Sequence, residues 1–153
     1  MWMPEAAPIR RATAADGPAC AAVLVDWIRA TPWMPQEMTQ DQFAEILSDG
    51  LPKREAWVIG DPVVGYLSMD PAENHIWGFY VAQRGAGLGR QLMDQAKQGR
   101  TYLRLNTHLP NKRAHAFYAR EGFVRVGDPW DGDDGVPEIR MEWQVTASGE
   151  ATA

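Results

Sequence analysis

The residues Arg84-Gly85-Ala86-Gly87-Leu88-Gly89 join a strand-like run to a helical one. A helix that starts there presents free backbone N–H groups and the positive end of its dipole, so the turn is a place for an anion. Glycine at every second position allows positive φ angles and lets the backbone approach that anion with no Cβ between them. Arg84 and Arg90 add charged donors. The set suits a pyrophosphate better than a single phosphate. Glycines also make plain turns, and this spacing is neither the Gly-x-Gly-x-x-Gly of dinucleotide sites nor a Gly-Lys-Ser/Thr phosphate loop.

A second constellation runs from Asn111 to Phe123. Ala114, Phe117 and Tyr118 stand at i, i+3 and i+4, so one small and two aromatic residues share a helical face that Gly122 ends. Packing accounts for Phe117. Tyr118 carries a hydroxyl that packing alone would not need.

The elements that position these groups alternate along the chain. Residues 9–12 read as a short strand, and Thr13 and Asp16 as a capping box opening a helix striped by Cys20, Val23, Leu24, Trp27 and Ile28. Thr39 and Gln42 open a second helix with Phe43, Ile46 and Leu47 on one face and Gly50 as its C-terminal cap. Strand patterns follow at 57–59, 63–69 and 76–81, then a helix with Leu88, Leu92, Met93 and Ala96 on one face. A strand at 102–106, a helix at 111–121 and strands at 123–126 and 139–145 complete an α/β or α+β pattern around a mixed sheet.

The 153 residues predict a single domain, 1–153, with its ordered core at about 9–145. One cysteine, Cys20, excludes a disulfide scaffold and a multi-cysteine zinc site, and the three histidines do not compose a metal site. No apolar run reaches the ~20 residues of a membrane span, and the first residues lack the pattern of a secretory signal, which points to the cytoplasm and away from a membrane. The net charge of -5 argues against a nucleic-acid partner. It hides a segregation: residues 84–125 hold nine basic and two acidic residues, net +7, and the remainder is net -12. A polyanionic ligand on one side and a cationic partner on the other fit that division, as do merely solvated helix faces.

The two motifs together resemble the GCN5-related N-acetyltransferase family, in an order of elements that spans about residues 9–145. The glycine turn is similar to the family's R/Q-x-x-G-x-G/A turn, and residues 111–123 to its N-x-x-A-x-x-F-Y-x-x-x-G-F helix. The resemblance implies a mostly antiparallel central sheet, flanked by helices and splayed between its fourth and fifth strands, 76–81 and 102–106. It implies acetyl-CoA as acyl donor, with its pyrophosphate over Arg84, Gly85, Ala86, Gly87, Leu88, Gly89 and Arg90. Backbone groups of Phe79, Tyr80 and Val81 would hold the pantetheine and thioester, and Asn111 would contact the cofactor. The link from Tyr80 to the turn is about two residues shorter than the family's usual one.

Transfer from a thioester to an amine needs a neutral amine, a polarised carbonyl and a proton for the departing thiolate. Tyr118 matches the family's tyrosine at the sulfur, and a phenol of pKa ~10 can protonate or steady a thiolate of pKa ~8.5. The family often sets a carboxylate where this chain has Gly78, so the base must come from elsewhere. His75 is the candidate because its unperturbed pKa is ~6.5, with Asp70, Glu73 or a water chain as other routes. His108, following a strand, and His115, expected to face solvent, rank below it.

On the acceptor side the resemblance points to the first two helices and the segment joining the last strands. Those carry Trp27, Trp33, Met34 and Pro35, and Asp128, Trp130, Asp131, Asp133 and Asp134. Carboxylates beside indoles suit a small cationic amine or a peptide amine, through Coulomb attraction and cation-π contact, although an acidic solvated loop would look the same. Trp27, Trp33, Asp131 and Asp134 are the substrate-binding candidates. The expected activity is an N-acetyltransferase acting in a ternary complex. The other readings are an acyl-CoA-binding module without catalysis, and a partner-binding protein using its acidic face. The last strand, 139–145, offers itself for pairing in a homodimer, as family members often dimerise.

Overall fold

The structure, a computed structural model, describes residues 7–82 and 86–145. Seven strands form one sheet: β1 (Ile9–Arg11), β2 (Glu55–Ile59), β3 (Gly65–Asp70), β4 (His75–Val81), β5 (Tyr102–His108), β6 (Val124–Asp131) and β7 (Pro137–Gln144). They lie in the order β1-β2-β3-β4-β5-β7-β6. All neighbours are antiparallel except β4 and β5.

That parallel pair decides the shape of the molecule. β4 and β5 are joined only at His75↔Arg104 and Ile76↔Leu105. Beyond that row they run on separately to Val81 and His108, so the sheet opens between them, as the resemblance implied.

Helix α1 (Gly17–Arg29) follows a single 3-10 turn at Ala14–Asp16, and the Thr13–Asp16 box is present. The Thr13 N–H donates to Asp16 Oδ2 at 2.8 Å, and Arg10 adds two donors to the same carboxylate at 2.7 and 2.8 Å. Helix α2 (Gln40–Gly50) begins with the other box, Gln42 N–H to Thr39 Oγ1 at 3.1 Å and Thr39 N–H to Gln42 Oε1 at 2.8 Å. The two helices approach so closely that a Cβ on Gly17 would collide with Ser48. Close contact explains why Ala21 and Val25 are buried along with Cys20, Val23 and Ile28: α1 is covered on two sides, by the sheet and by α2.

On α2 the expected apolar face is only half used, since Ile46 is 53% exposed. Gly50 does not cap the helix. The chain passes straight from it into another 3-10 turn, Leu51–Lys53, and the Leu51 side chain plugs the core.

Helix α3 (Leu88–Lys97) follows the expected pattern closely, with Leu88, Leu92, Met93 and Ala96 all buried. Together with α4 (Lys112–Arg120) it covers one sheet face, over Leu67, Met69, Ile76, Leu103, Leu105 and Phe123. A smaller cluster of Cys20, Leu51, Ala56, Val58 and Tyr66 forms under α1.

Two expectations about the C-terminal strands need correction. The segment after Phe123 continues as strand through Asp131, because Trp130 and Asp131 regain pairing with Glu138 and Pro137 after a bulge. The last strand cannot serve as a dimer edge, because β5 and β6 occupy both of its sides. The edges of the sheet are β1 and β6.

Candidate active site

The opening between β4 and β5 is a cleft of about 910 Å³. One end of it is built for an anion. Gly87 precedes α3 with φ 75 and ψ 9, the left-handed conformation that glycine adopts without steric cost. Among the described residues no side chain caps the helix, which leaves the N–H groups of its first turn available. At Gly89 a Cβ would lie 3.4 Å from the rings of Phe79 and Phe117, so a larger side chain would have to displace that aromatic pair.

From β4 the cleft is lined by Phe79, Tyr80 and Val81, and from α3 by Gly87, Leu88, Gly89 and Arg90. Arg113 and Arg120 of α4 join them, two cations that had stood in the sequence only as part of the basic segment. Ala86 is exposed and outside the lining. Arg84 and Gly85 lie outside the described residues, as does much of the shortened link.

Asn111 and Tyr118 line the same cleft from α4. The Asn111 side-chain oxygen is already engaged, accepting the Ala114 N–H at 3.1 Å as the helix cap, so the amide NH2 is what it can offer a ligand. Tyr118 is 9% exposed, with the rings of Phe117 and Phe123 each 5.6 Å away. Burial pushes its hydroxyl well above the ordinary phenol value, with Tyr80 adding to the effect, so it is protonated at any working pH.

The other end is an aromatic box. Trp27 meets Trp33 edge-on at 5.8 Å and Tyr80 at 5.1 Å. The His108 ring lies 6.2 Å from Trp27, stacked, and 5.4 Å from Trp33. His108 Nε2 is 2.9 Å from Asp134 Oδ2, and Glu138, its cross-strand neighbour, also lines the cleft. Burial opposes ionisation of Asp134, but the Val136 N–H and His108 hold its carboxyl below the usual range. Burial raises the Glu138 carboxyl, with Asp134 and Asp133 contributing. The Tyr80 hydroxyl is pushed up to about 12 by burial and by Asp134 and Glu138.

Thus Trp27, Trp33 and Asp134 come together, while Asp131 stays apart at the exposed end of β6. The surprise is His108. It is the last residue of β5, two positions past the expected strand end, and the alternation that buries Leu103, Leu105 and Thr107 turns Arg104, Asn106 and His108 to the opposite face. His115 is half-buried instead of solvent-facing, its Nε2 donating to the His108 carbonyl at 3.1 Å.

His75 does not line this cleft. It is buried in a second cavity of about 300 Å³ with Arg104, Asn106 and Arg140, under the Trp77 ring at 3.9 Å. Burial, with Arg104 and Arg140 nearby, lowers its pKa to about 4. Gly78 has a packing reason: a Cβ there would sit 3.1 Å from the ring of Tyr66.

A Synechocystis protein, UPF0039 protein sll0451, is 39% identical over 72 residues, which cover 44% of this chain and 46% of that protein. The chain thus spans about half the length of that relative. YjaB from Escherichia coli, in its apo form, superposes with a TM-score of 0.72 at 23% identity, covering 90% of this chain and 97% of that one. The yncA protein of Salmonella typhimurium, solved with its cofactor acetyl-CoA, gives 0.66 at 22% identity, covering 93% and 95%. At these identities both show the fold. The family model for the acetyltransferase (GNAT) domain matches residues 29–145, and this chain belongs to the GNAT acetyltransferases.

Proposed function

We propose that the protein is an acetyl-CoA-dependent N-acetyltransferase that moves an acetyl group to a primary amine by direct attack in a ternary complex. The observation that carries this reading is that one continuous cleft is lined by the N-terminus of α3, by Arg90, Arg113 and Arg120, and by Trp27, Tyr80 and His108 of the aromatic box. The fit to the donor is good: free N–H groups and arginines for a pyrophosphate, no side chain at Gly89, and the unpaired edge of β4 for an extended pantetheine. Bound acetyl-CoA would supply an activated thioester.

Direct attack is supported by what the chain lacks as a nucleophile. Cys20 is fully buried on the α1 side of the sheet, and burial pushes its thiol up to about 12. A thiol held that firmly protonated cannot take an acyl group in the cleft.

The base we assign is His108 in preference to His75. Asp134 accepts the Nε2–H, which fixes the tautomer that leaves Nδ1 basic and steadies the ring when it gains a proton. His75, screened by two arginines and outside the main cleft, is poorly placed to accept a proton from an amine there. Trp27, Trp33 and Glu138 receive a cationic amine before it is deprotonated. Tyr118 donates from its protonated hydroxyl to the leaving sulfur.

Calorimetric titration of acetyl-CoA, followed by thiol release over an amine panel, tests the proposal. Micromolar binding that Gly87→Val weakens at least tenfold, with turnover of cationic amines, is expected. Absence of binding would overturn the donor assignment. Binding with no amine turned over would favour a non-catalytic acyl-CoA-binding module.

A further inference from the structure

Among the described residues, the buried side-chain nitrogens without any hydrogen-bond partner are His75 Nε2, Arg104 Nε, Arg140 Nε and Trp143 Nε1. The first three belong to residues that line one cavity, the space of about 300 Å³ between β4, β5 and β7. A buried polar nitrogen left unpaired is costly, so a cluster of them points to a group that is there when the protein works.

The sheet register connects this cavity with the active-site cleft. On β7 the buried Ile139, Met141 and Trp143 alternate with Glu138, Arg140 and Glu142, and these stand opposite His108, Asn106 and Arg104 of β5. One face of the β5–β7 pair therefore reads, row by row, His108 with Glu138, Asn106 with Arg140, and Arg104 with Glu142; His75 extends the last row from β4. Asn106 lines both cavities. Successive rows on one face are two residues apart, about 7 Å along the strand.

We propose that this second cavity is an anion subsite that takes a carboxylate carried by the acetyl acceptor, several bonds from the reacting amine. The proposal rests on the transferase reading of the main cleft and narrows its acceptor to a zwitterion: an ω-amino acid, or a peptide with its own carboxylate.

The charges set the valence. Arg104 gives one Nη to Glu73 at 3.1 Å, a carboxylate that is 54% exposed and readily displaced. Arg140 Nε lies 3.4 Å from Glu142 Oε1 without forming a hydrogen bond, and Glu142 instead accepts the Tyr102 hydroxyl at 2.7 Å. Two guanidinia partly offset by two carboxylates welcome one negative charge and not two, which favours a carboxylate over a phosphate dianion. The walls are two indoles, Trp77 at 52% exposure and Trp130 at 40%, with the Arg54 guanidinium 5.3 Å above the Trp77 ring. They give the methylene chain of such an acceptor an apolar track.

The test uses 6-aminohexanoate and its neutral partner 6-aminohexanamide, which share an amine and differ only in the far group. In wild type, kcat/KM for the carboxylate should exceed that for the amide at least tenfold, mainly through KM. Arg140→Gln and, separately, Arg104→Gln should bring the ratio to about one while the rate with the amide stays as it was. Equal kcat/KM for both amines in wild type would overturn the subsite and leave the transferase intact. Binding provides an independent readout: 6-aminohexanoate should shift the His75 ring and Trp77 indole resonances in wild type but not in Arg140→Gln. Those shifts without turnover of either amine would keep the subsite and remove the transferase reading. Their absence would overturn the subsite whatever the turnover.

Discussion

His108 Nε2 and Asp134 Oδ2 stand 2.9 Å apart, tying the end of β5 to the turn between β6 and β7. Asp134 is itself held, because its other oxygen accepts the Val136 N–H at 3.0 Å. A carboxylate fixed by its own turn fixes the imidazole in turn, and the imidazole sits where the aromatic box meets the cleft.

Removing that base should be costly. His108→Gln is expected to lower kcat at least 100-fold, the lower end of what a positioned general base contributes. Asp134→Asn should lower it about tenfold, since the ring stays but its orientation and charge support are lost. Single-turnover rates with saturating acetyl-CoA check this, and acetyl-CoA affinity should change less than twofold in either variant.

Tyr118→Phe should reduce turnover at least tenfold with little change in acetyl-CoA affinity. The ring is packed among Phe79, Phe117 and Phe123, and that packing survives the loss of one oxygen. Calorimetry beside steady-state kinetics separates the two effects, and an unchanged kcat would remove Tyr118 from the proton path.

At the glycine turn the backbone, more than the side-chain volume, should decide binding. Gly87 has φ 75, which Asn tolerates and a β-branched residue does not. Gly87→Asn should keep acetyl-CoA binding within a few-fold, whereas Gly87→Val should weaken it at least tenfold. Gly89→Val should do the same for a different reason, by wedging Phe79 from Phe117.

A stability prediction comes from the opposite end of the molecule. The Arg10 guanidinium holds the buried Asp16 carboxyl down to about 2 against the effect of burial, with the Thr13 N–H helping. A carboxylate whose folded pKa is depressed stabilises the fold above its unfolded value of ~3.9, and that contribution disappears as pH falls through the folded value. Arg10 is more than half exposed, so solvent screening keeps the gain small. Asp16→Asn should therefore lower the melting temperature at pH 7 by a few degrees. The gap between wild type and variant should close below pH 4, which thermal melts across that range would show.

The elements were legible wherever a local pattern had one meaning. Both capping boxes, the α3 stripe and the glycine turn depend on residues within a few positions of one another, and such neighbours interact in nearly the same way in any surroundings. The motifs at 84–89 and 111–123 likewise carried the family resemblance, because the residue types and spacing they need are written in consecutive residues.

The acceptor end was decided elsewhere. Ending β5 at Asn106 hid His108, although the alternation of Leu103, Leu105 and Thr107 with Arg104 and Asn106 continues to it. Even with that signal, its pairing with Asp134, 26 residues away, depends on how β7 inserts between β5 and β6. The separation of His75 into another cavity and the confinement of β7 to the sheet interior are also matters of strand order. Sequence alone thus determined the family, the helices and the glycine turn, since these arise from contacts local in the chain. Tertiary structure alone decided which histidine lines the cleft, because strand pairing brings distant residues together according to register and order, and neither is marked on the residues it joins.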